Sequence, residues 1–461
     1  MEVESFKTEP KSLVELIKKG RKKEVISALK RLGKLPPHFD RTPLILALES
    51  DSEEIRSLAI KNLGKFADIS LLQLFERTVK IDHSSIVRRE AVSSIGRMKS
   101  REGIPILLEL LYDDNPAVVL QAIRGLLKFK QEQYVVDKLS DLKNHENEIV
   151  RQVVNHELKE KEDNRDRQIE PYYPTYLKNL VVNGDSWSVL SLVPDEAIHL
   201  TFTSPPYYNA KDYSIYKSYE GYLNFLELVF KEVYRVTKEG RFFLLNSSPV
   251  IVKRPSRSYS SRRYPIPYDI HPRLINMGWE FIDDIIWVKP EASVKNRNAG
   301  FLQHRKPLGY KPNAITENIM VYRKKTDKLI DWNMDKYPED VIENSKVKGD
   351  YETTNVWEIG PTYDKTHSAV FPLELCNRVI QLYSYIGDLV LDPFAGSGTF
   401  GRSAMKLNRY FFLIEKDETF FKRIRELNEK LDIYSSLYQR PKYLCSVEFE
   451  SFAKNNDTYN A

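Results

Sequence analysis

A short run that ends in two prolines and a tyrosine, Leu200–Tyr207, carries the first candidate chemistry of this sequence. Its apolar and β-branched residues predict a strand, and the prolines stiffen the following turn because they fix φ and donate no N–H. The Ser204 hydroxyl and the Pro205 carbonyl could accept both hydrogens of an amino group conjugated to an aromatic ring, which would favour a pyramidal nitrogen. The Tyr207 ring offers a face on which an extruded base can stack. A proline-stiffened strand end is the alternative interpretation.

A glycine turn follows an apolar run near the far end of the sequence, in Asp388–Thr399. Glycines let the backbone approach a ligand closely, and the free N–H groups that begin a helix can bind it. The next predicted strand, Tyr410–Ile414, is followed by Glu415, about 20 residues beyond the turn, where a ribose-binding carboxylate is expected. The turn lacks the third glycine of a dinucleotide fingerprint. It therefore favours a nucleoside-type cofactor over a nicotinamide one.

Together the two motifs resemble those of the DNA amino-methyltransferases, and three further segments agree with this resemblance. Asn183–Ser186 is similar to a segment whose acidic residue contacts the cofactor adenine, and His367–Leu375 to one that covers the methionine part of S-adenosylmethionine. Ile286–Pro290 is similar to a strand that precedes the recognition region. The order, catalytic loop first and glycine-rich loop last, is that of the β class. The resemblance covers roughly Tyr172–Lys430 and implies a Rossmann-like α/β fold with a circularly arranged, mostly parallel sheet.

This resemblance implies roles for individual residues. The implied catalytic residues are Ser204, Pro205, Pro206 and Tyr207. The implied cofactor is S-adenosyl-L-methionine, contacted by Asp185, His367, Ala369, Phe371, Asp392, Phe394, Gly396, Gly398, Thr399 and Glu415. The implied partner is double-stranded DNA, with the target base flipped out. A restriction–modification or defence setting is implied too, with a cognate endonuclease or another protein as a further candidate partner.

The family leaves two target atoms open. Its members with Asp in place of Ser204 usually methylate adenine N6, whereas Ser-Pro-Pro-Tyr occurs more often with cytosine N4. Cytosine N4 is therefore expected, and adenine N6 is the alternative. Cytosine C5 is disfavoured because that chemistry needs a cysteine nucleophile beside the catalytic turn, and neither Cys376 nor Cys445 lies in such a loop. The sequence has no cluster with metal-ligand spacing, so no metal is expected.

Two segments are candidates for contacts with DNA. Residues 252–264 are basic, serine-rich and interleaved with tyrosine, and they follow a predicted strand, Arg241–Asn246. They could clamp phosphates, or they could be a solvated surface loop. A target-recognition region is expected at about residues 290–361, in which Glu317 is expected to be structural. The candidate DNA-binding residues are Lys253, Arg254, Arg257, Arg262, Arg263, Arg297 and Arg305.

The first third of the sequence predicts an array of paired helices. The segments Ile55–Gly64, Val87–Gly96 and Val118–Leu127 share an apolar i, i+4, i+8 pattern centred on an alanine. The alanines recur about every 32 residues, which resembles short HEAT-like repeats, with an irregular helical bundle as the alternative. No catalytic constellation occurs here. A helical-repeat binding scaffold with a non-catalytic methyltransferase-like domain is therefore the alternative to an enzyme.

Length and composition agree with more than one domain. The chain has 461 residues, of which 41% are hydrophobic, and its formal net charge of +5 permits nucleic-acid binding without requiring it. We expect a HEAT-like domain at residues 1–165, a methyltransferase domain at 166–440 and a C-terminal tail at 441–461. No membrane-spanning run and no signal pattern occur, so a cytoplasmic, nucleoid-associated prokaryotic protein without a membrane partner is expected. The oligomeric state is open.

Overall fold

The computed structural model describes residues 10–158, 174–208, 216–252, 258, 262–293, 307, 314–334, 336–362, 370–430 and 440–457. The chain divides into two compact units, Met1–Asp163 and Asn164–Ala461. The first unit has one hydrophobic core, and the second has two, one on each face of a sheet.

The first unit consists of short helices whose apolar faces stack on one another. Its α-helices are α1 (Pro10–Lys18), α2 (Lys22–Arg31), α3 (Thr42–Leu46), α4 (Glu53–Leu63), α5 (Leu72–Ile81), α6 (Ser85–Met98), α7 (Ile104–Glu109), α8 (Pro116–Leu126), α9 (Gln133–Ser140) and α10 (Glu148–Glu157). Ala59 in α4, Ala91 in α6 and Ala122 in α8 are fully buried. The small side chain at this repeated position lets successive helices pack closely, and the predicted helical repeats are confirmed.

Successive repeats are joined in the same way each time. An arginine in the first turn of one helix binds an aspartate of the following repeat, Arg56 to Asp82 at 2.8 Å and Arg88 to Asp113 at 2.9 Å. These ion pairs have about the 32-residue period of the alanines. The array therefore repeats its polar contacts as well as its core.

The second unit is built on a twisted sheet. Its strands are β1 (Leu180–Asn183), β2 (Ile198–Thr203), β3 (Thr237–Ser247), β4 (Val250–Val252), β5 (Arg262–Tyr264), β6 (Trp279–Val288), β7 (Thr316–Lys324), β8 (Val356–Glu358), β9 (Leu389–Asp392), β10 (Tyr410–Glu415) and β11 (Lys442–Cys445). In the described residues nine of them form one sheet, in the order β11-β1-β10-β9-β2-β3-β7-β6-β8, while β4 and β5 pair separately. Only β7 runs antiparallel to its neighbours in that sheet. The predicted mostly parallel α/β architecture is confirmed.

Helices cover both faces of the sheet. They are α11 (Ser186–Leu190), α12 (Tyr219–Val236), α13 (Ile266–Met277), α14 (Ile330–Met334), α15 (Glu339–Ser345), α16 (Leu373–Tyr383), α17 (Thr399–Lys406), α18 (Glu418–Glu429) and α19 (Ser446–Asp457). Neighbouring residues of one strand enter different cores, because strand side chains alternate. Phe412 of β10 belongs to the core that includes Tyr222 of α12, whereas Phe411 belongs to the core that includes Val379 of α16.

Two of the expected segments contribute strands to the main sheet. Residues 441–461 are not simply a tail, because β11 pairs in parallel with β1 and Phe449 of α19 is fully buried. The region expected to contain target recognition, about 290–361, contains β7 and β8 of that sheet. Strands of three or four residues, such as β8 and β11, are too short to show a periodic pattern. None of the helices in the described part of the chain has the length and apolarity needed to cross a bilayer.

Candidate active site

The candidate site lies at one edge of the sheet, where parallel strands end side by side. In open α/β sheets, ligands bind in the crevice outside the carboxyl ends of the strands. Five central strands end side by side here, and four of them end within or next to the predicted motifs. These final residues are Asn183 of β1, Glu415 of β10, Asp392 of β9, Thr203 of β2 and Ser247 of β3. The order of the sheet therefore brings both predicted motifs to one edge.

The glycine turn after β9 has the backbone conformation that glycine allows. Gly396 and Gly398 have φ of 52° and 74°, and Gly398 immediately precedes α17. A Cβ on Gly398 would lie 3.0 Å from two side-chain atoms of Ile424, so a larger residue would also be crowded. The turn thus keeps its backbone close to α18 and leaves the start of α17 available to a ligand.

Glu415 closes this turn from the next strand. Its Oε2 accepts the Gly396 N–H at 2.7 Å, and its Oε1 accepts the Asp417 N–H at 2.8 Å. Burial raises the pKa of Glu415 to about 7, although the two backbone hydrogen bonds act in the opposite direction. The negative charge of Asp392 raises this pKa further. A carboxylate in this state can gain hydrogen bonds from ligand hydroxyl groups.

Asp392 lies between the two loops of the candidate site. Its side chain is buried, and Oδ1 accepts the Thr203 hydroxyl at 2.6 Å and the Phe394 N–H at 3.0 Å. Burial raises the pKa of Asp392 to about 7, although each of these two hydrogen bonds lowers the pKa. The carboxyl group therefore joins the end of β2 to the glycine turn after β9.

Asp185 lies at the same edge of the sheet as the glycine turn. It precedes α11 and pairs with the Lys416 ammonium at 3.2 Å. The neighbouring Ser186 hydroxyl donates to the Pro393 carbonyl at 2.6 Å, which fixes α11 against the turn. Burial and the charge of Asp185 raise the pKa of Tyr216 to about 12.

Aromatic side chains form the apolar part of the candidate site near the glycine turn. Phe371 stacks on Phe202 of β2, with ring centroids 4.6 Å apart. Phe394 is half-buried, and its ring centroid lies 6.1 Å from that of Phe225 in α12. The Thr399 hydroxyl is buried and accepts a hydrogen bond from Arg402 at 2.9 Å. Phe371 therefore packs on β2 and Phe394 on α12, while Thr399 takes part in the internal bonding of the loop.

The proline loop leaves β2 beside this turn. Ser204 and Tyr207 are partly buried, and Pro205 is buried. The Tyr207 hydroxyl donates to Oε2 of Glu317 at 3.1 Å. Burial, and then the charge of Glu317, hold the pKa of Tyr207 well above its ordinary value. The phenol is therefore neutral and keeps its hydrogen for this bond.

Three polar residues next to the proline loop have no site role in the prediction from the sequence. The Asn246 side-chain nitrogen lies 2.7 Å from Oε2 of Glu317 and 3.4 Å from Oγ of Ser204, and Lys289 binds the other oxygen of Glu317. Glu317 was expected to be structural, but its carboxylate directly contacts the predicted catalytic loop. The available signal was that Asn246 ends a predicted strand at the same sheet edge.

Part of the predicted site lies outside the described residues. This applies to the cofactor contacts His367 and Ala369 and to the DNA contacts Lys253, Arg254, Arg257, Arg297 and Arg305. Arg262 and Arg263 are described, and both are exposed on β5. The segment expected to be a basic loop therefore includes the second strand of the β4–β5 hairpin. Among the described residues, no group of three or more His, Cys, Asp or Glu side chains could hold a metal ion.

Known proteins match both parts of the chain. A family model described as DNA methylase matches residues 198–426, and one described as HEAT repeats matches residues 41–126 and 71–159. The type II methyltransferase M.ScaI of Streptomyces caespitosus is 32% identical over 264 residues, which are 54% of this chain and 81% of that protein. The type II beta methyltransferase M.BslI of Bacillus sp. (strain NEB-606) is 29% identical over 266 residues, and the chain spans only 28% of its length.

Solved structures give weaker similarity. The cytosine-N4-specific PvuII DNA methyltransferase is 18% identical, with a TM-score of 0.41, and the match covers 60% of this chain and 92% of that one. The M1.HpyAVI–SAM complex is 18% identical, with a TM-score of 0.36, and the match covers 54% of this chain and 97% of that one.

Proposed function

The chain belongs to the DNA methylase family, and from this we propose that it transfers the methyl group of S-adenosylmethionine to an exocyclic amino group of a DNA base. The observation that carries the proposal is the junction of the two loops at the sheet edge. The 2.6 Å hydrogen bond from Thr203 to Asp392 holds the proline loop beside the glycine turn. A cofactor bound at the turn would therefore adjoin an amine bound at the loop.

The residues around the glycine turn fit S-adenosylmethionine. This cofactor supplies an electrophilic methyl group when bound. The carboxylates of Asp185 and Glu415 would accept hydrogen bonds from its adenine and ribose groups. The backbone at Gly396 and Gly398 would allow close approach, and the Phe371 and Phe394 rings would exclude water. The donor and acceptor chemistry of this edge thus matches a nucleoside that carries a positive charge.

The proline loop would bind the amine. The Ser204 hydroxyl and the Pro205 carbonyl would accept its two N–H hydrogens and direct its lone pair toward the glycine turn. The Tyr207 ring would stack on the base, while its hydroxyl stays bound to Glu317. Holding the amine in this orientation supplies much of the rate gain that such an enzyme needs.

The finer proposal is cytosine N4, with adenine N6 as the alternative. Ser204 supports it, since the family usually has Asp at this position when adenine is the target. The test is nucleoside mass spectrometry of unmethylated, whole-genome-amplified DNA after treatment with the purified protein, followed by sequencing of the modified sites. N4-methylcytosine is expected. N6-methyladenine would refute the finer proposal alone. No methylation, with no S-adenosylmethionine binding by calorimetry, would favour the non-catalytic scaffold.

We further propose that the protein is site-specific and belongs to a restriction–modification or defence system. Its similarity to type II methyltransferases supports this setting. The exposed Arg262 and Arg263 would bind phosphates of double-stranded DNA, and the helical repeats would bind further DNA or a protein partner such as a cognate endonuclease. The cell compartment would be the cytoplasm, where the DNA of a prokaryote lies.

A further inference from the structure

Five polar side chains form a connected group beside the proline loop. They come from different strands and from the residues that directly follow them. The group consists of Ser204, Tyr207, Asn246, Lys289 and Glu317. Glu317 is its centre, since it contacts three of the other four members.

The carboxylate of Glu317 fixes the orientation of its partners. Its Oε1 binds the Lys289 ammonium, and its Oε2 accepts hydrogen bonds from the Tyr207 hydroxyl at 3.1 Å and the Asn246 amide at 2.7 Å. An ionised carboxylate only accepts hydrogen bonds. The nitrogen of the Asn246 amide, rather than its oxygen, must therefore face Glu317, and the hydrogen of the Tyr207 hydroxyl must point the same way.

The sheet holds Glu317 in place from both sides. Glu317 lies opposite Trp287 in the pairing of β7 with β6, and two residues later Ile319 lies opposite Asn246 in the pairing of β7 with β3. The Lys289 N–H continues the ladder by donating to the Ile315 carbonyl at 2.9 Å. The antiparallel strand β7 thus sets the carboxylate at a fixed distance from the proline loop.

This arrangement is costly for folding. The side chains of Lys289 and Glu317 are only 19% and 15% exposed. The free-energy cost of removing two charges from water can exceed what their mutual attraction contributes to stability. Asn246 is 2% exposed, and within the described part of the chain its Oδ1 has no hydrogen-bond partner. A buried acceptor without a partner lowers stability. A stabilising role therefore does not explain the group well.

Resting on the proposed function, we infer that Glu317 is a positioning residue for methyl transfer, held by Lys289 and linked to Ser204 through Asn246. The Asn246 N–H donates to the Ser204 oxygen at 3.4 Å and leaves the second lone pair of that oxygen for the target amine. The Tyr207 ring is fixed by its own hydroxyl for stacking. Without Glu317 both groups lose their orientation, while the glycine turn stays intact.

The test compares two carboxylates of the full-length protein. Glu317→Gln removes the central charge, whereas the control Glu239→Gln removes the partner of Lys328, 3.2 Å away, near the opposite end of β3. The assay is the single-turnover transfer of labelled methyl from S-adenosylmethionine to whole-genome-amplified DNA. We expect Glu317→Gln to lower this rate about 10- to 100-fold, with cofactor affinity changed less than about twofold, and Glu239→Gln to change neither.

A second pair of variants separates positioning from stability. Asn246→Ala leaves the ion pair intact and should also lower the rate. Tyr207→Phe keeps the ring but removes the hydroxyl, and Glu317→Gln should then cost less in the Tyr207→Phe background than alone, because the two share one interaction.

Three results would overturn the inference. These are equal rates for Glu317→Gln and Glu239→Gln, additive effects in the double variant, and a loss of cofactor affinity in parallel with the loss of rate. No methyl transfer by the unaltered protein would instead overturn the proposed function, and the inference with it.

Discussion

The hydroxyl of Thr203 donates a hydrogen bond to the carboxylate of Asp392 across 2.6 Å, although 189 residues separate them in the chain. Thr203 ends β2 and Asp392 ends β9, and these strands are neighbours in the sheet. Because the proline loop follows one and the glycine turn follows the other, this bond links the two loops at the point where the paired strands end.

The first prediction concerns that bond. Thr203→Val keeps the shape of the side chain but leaves buried Asp392 with only the Phe394 N–H on its Oδ1. We expect a loss of about 1–3 kcal/mol of unfolding free energy and a slower methyl transfer. Urea unfolding and single-turnover kinetics measure the two effects. The matched control is Thr201→Val in the same strand, because the buried Thr201 hydroxyl has no partner among the described residues. A similar loss in both variants would contradict the prediction.

The second prediction is that cofactor affinity rises with pH. The pKa of Glu415 is about 7, well above its ordinary value, so the group is largely protonated below that pH. The ionised form is the better acceptor for ribose hydroxyls, and affinity should therefore increase between about pH 6 and pH 8 and then level off. Calorimetric titration with S-adenosylmethionine across this range measures it. Glu415→Gln should bind more weakly and without this dependence. If the affinity of Glu415→Gln increased with pH as steeply as that of the unaltered protein, another group would be responsible for the pH dependence.

The third prediction concerns the pH dependence of stability. The folded-state pKa of Asp392 is about 7, above its unfolded value of 3.8, so its protonated form favours folding. This contribution is fully present below about pH 4 and is lost as pH rises through about 7. Asp392→Asn retains the Oδ1 acceptor and removes the charge.

At pH 8 the buried charge of Asp392 costs about 4 kcal/mol, and the new amide N–H would cost about 1–3 kcal/mol if it finds no partner. Asp392→Asn should therefore be about 1–3 kcal/mol more stable than the unaltered protein at pH 8. The gain should disappear near pH 5. Urea unfolding at both pH values is the measurement, and a variant that is less stable at pH 8 would be the opposite of what we expect.

The fourth prediction separates binding from transfer. Ser204→Ala removes one of the two proposed acceptors for the amine, and removal of such a group usually lowers the rate about 100-fold or more. Cofactor affinity should stay within about twofold, because Ser204 belongs to the proline loop and not to the glycine turn. Single-turnover kinetics measures the rate of methyl transfer, and calorimetry measures the cofactor affinity. An unchanged rate would show that the Ser204 hydroxyl does not bind the amine.

The fifth prediction concerns DNA affinity. Replacing Arg262 and Arg263 of β5 with glutamine should weaken DNA binding and reduce the slope of log Kd against log salt by about 2, since each phosphate contact contributes about 0.9. The control replaces Lys422 and Arg425, two exposed basic residues of α18. Equal slopes for the two double variants would remove β5 from the DNA interface.

Much of the fold could be predicted because its central strands are continuously apolar and adjoin distinctive turns. The strand predicted at Tyr410–Ile414 is β10, Tyr410–Glu415, and the apolar run before the glycine turn is β9, Leu389–Asp392. The resemblance to DNA amino-methyltransferases and to HEAT-like repeats is confirmed by the two family matches. Here local pattern and tertiary environment agree, since these strands are buried on both faces of the sheet.

The rest depends on contacts between distant residues. Glu317 lies 110 residues from Tyr207 and 71 from Asn246, and no local pattern shows that they meet. The antiparallel direction of β7 brings them together. The direction of a strand relative to its neighbours cannot be predicted from the residues of that strand alone. The same holds for the contact between Asp392 and Thr203, which are 189 residues apart in the chain.

The position of β1 between β10 and β11 has a consequence for biosynthesis. Asn183 at its end meets Glu415, 232 residues later in the chain. While the protein is being made, β1 leaves the ribosome long before either neighbour exists, and pairing over such a distance is slow. A nascent chain consequently holds the proline loop but no finished cleft. Under the proposed function, newly made protein should therefore modify no DNA until β10 and β11 have been translated.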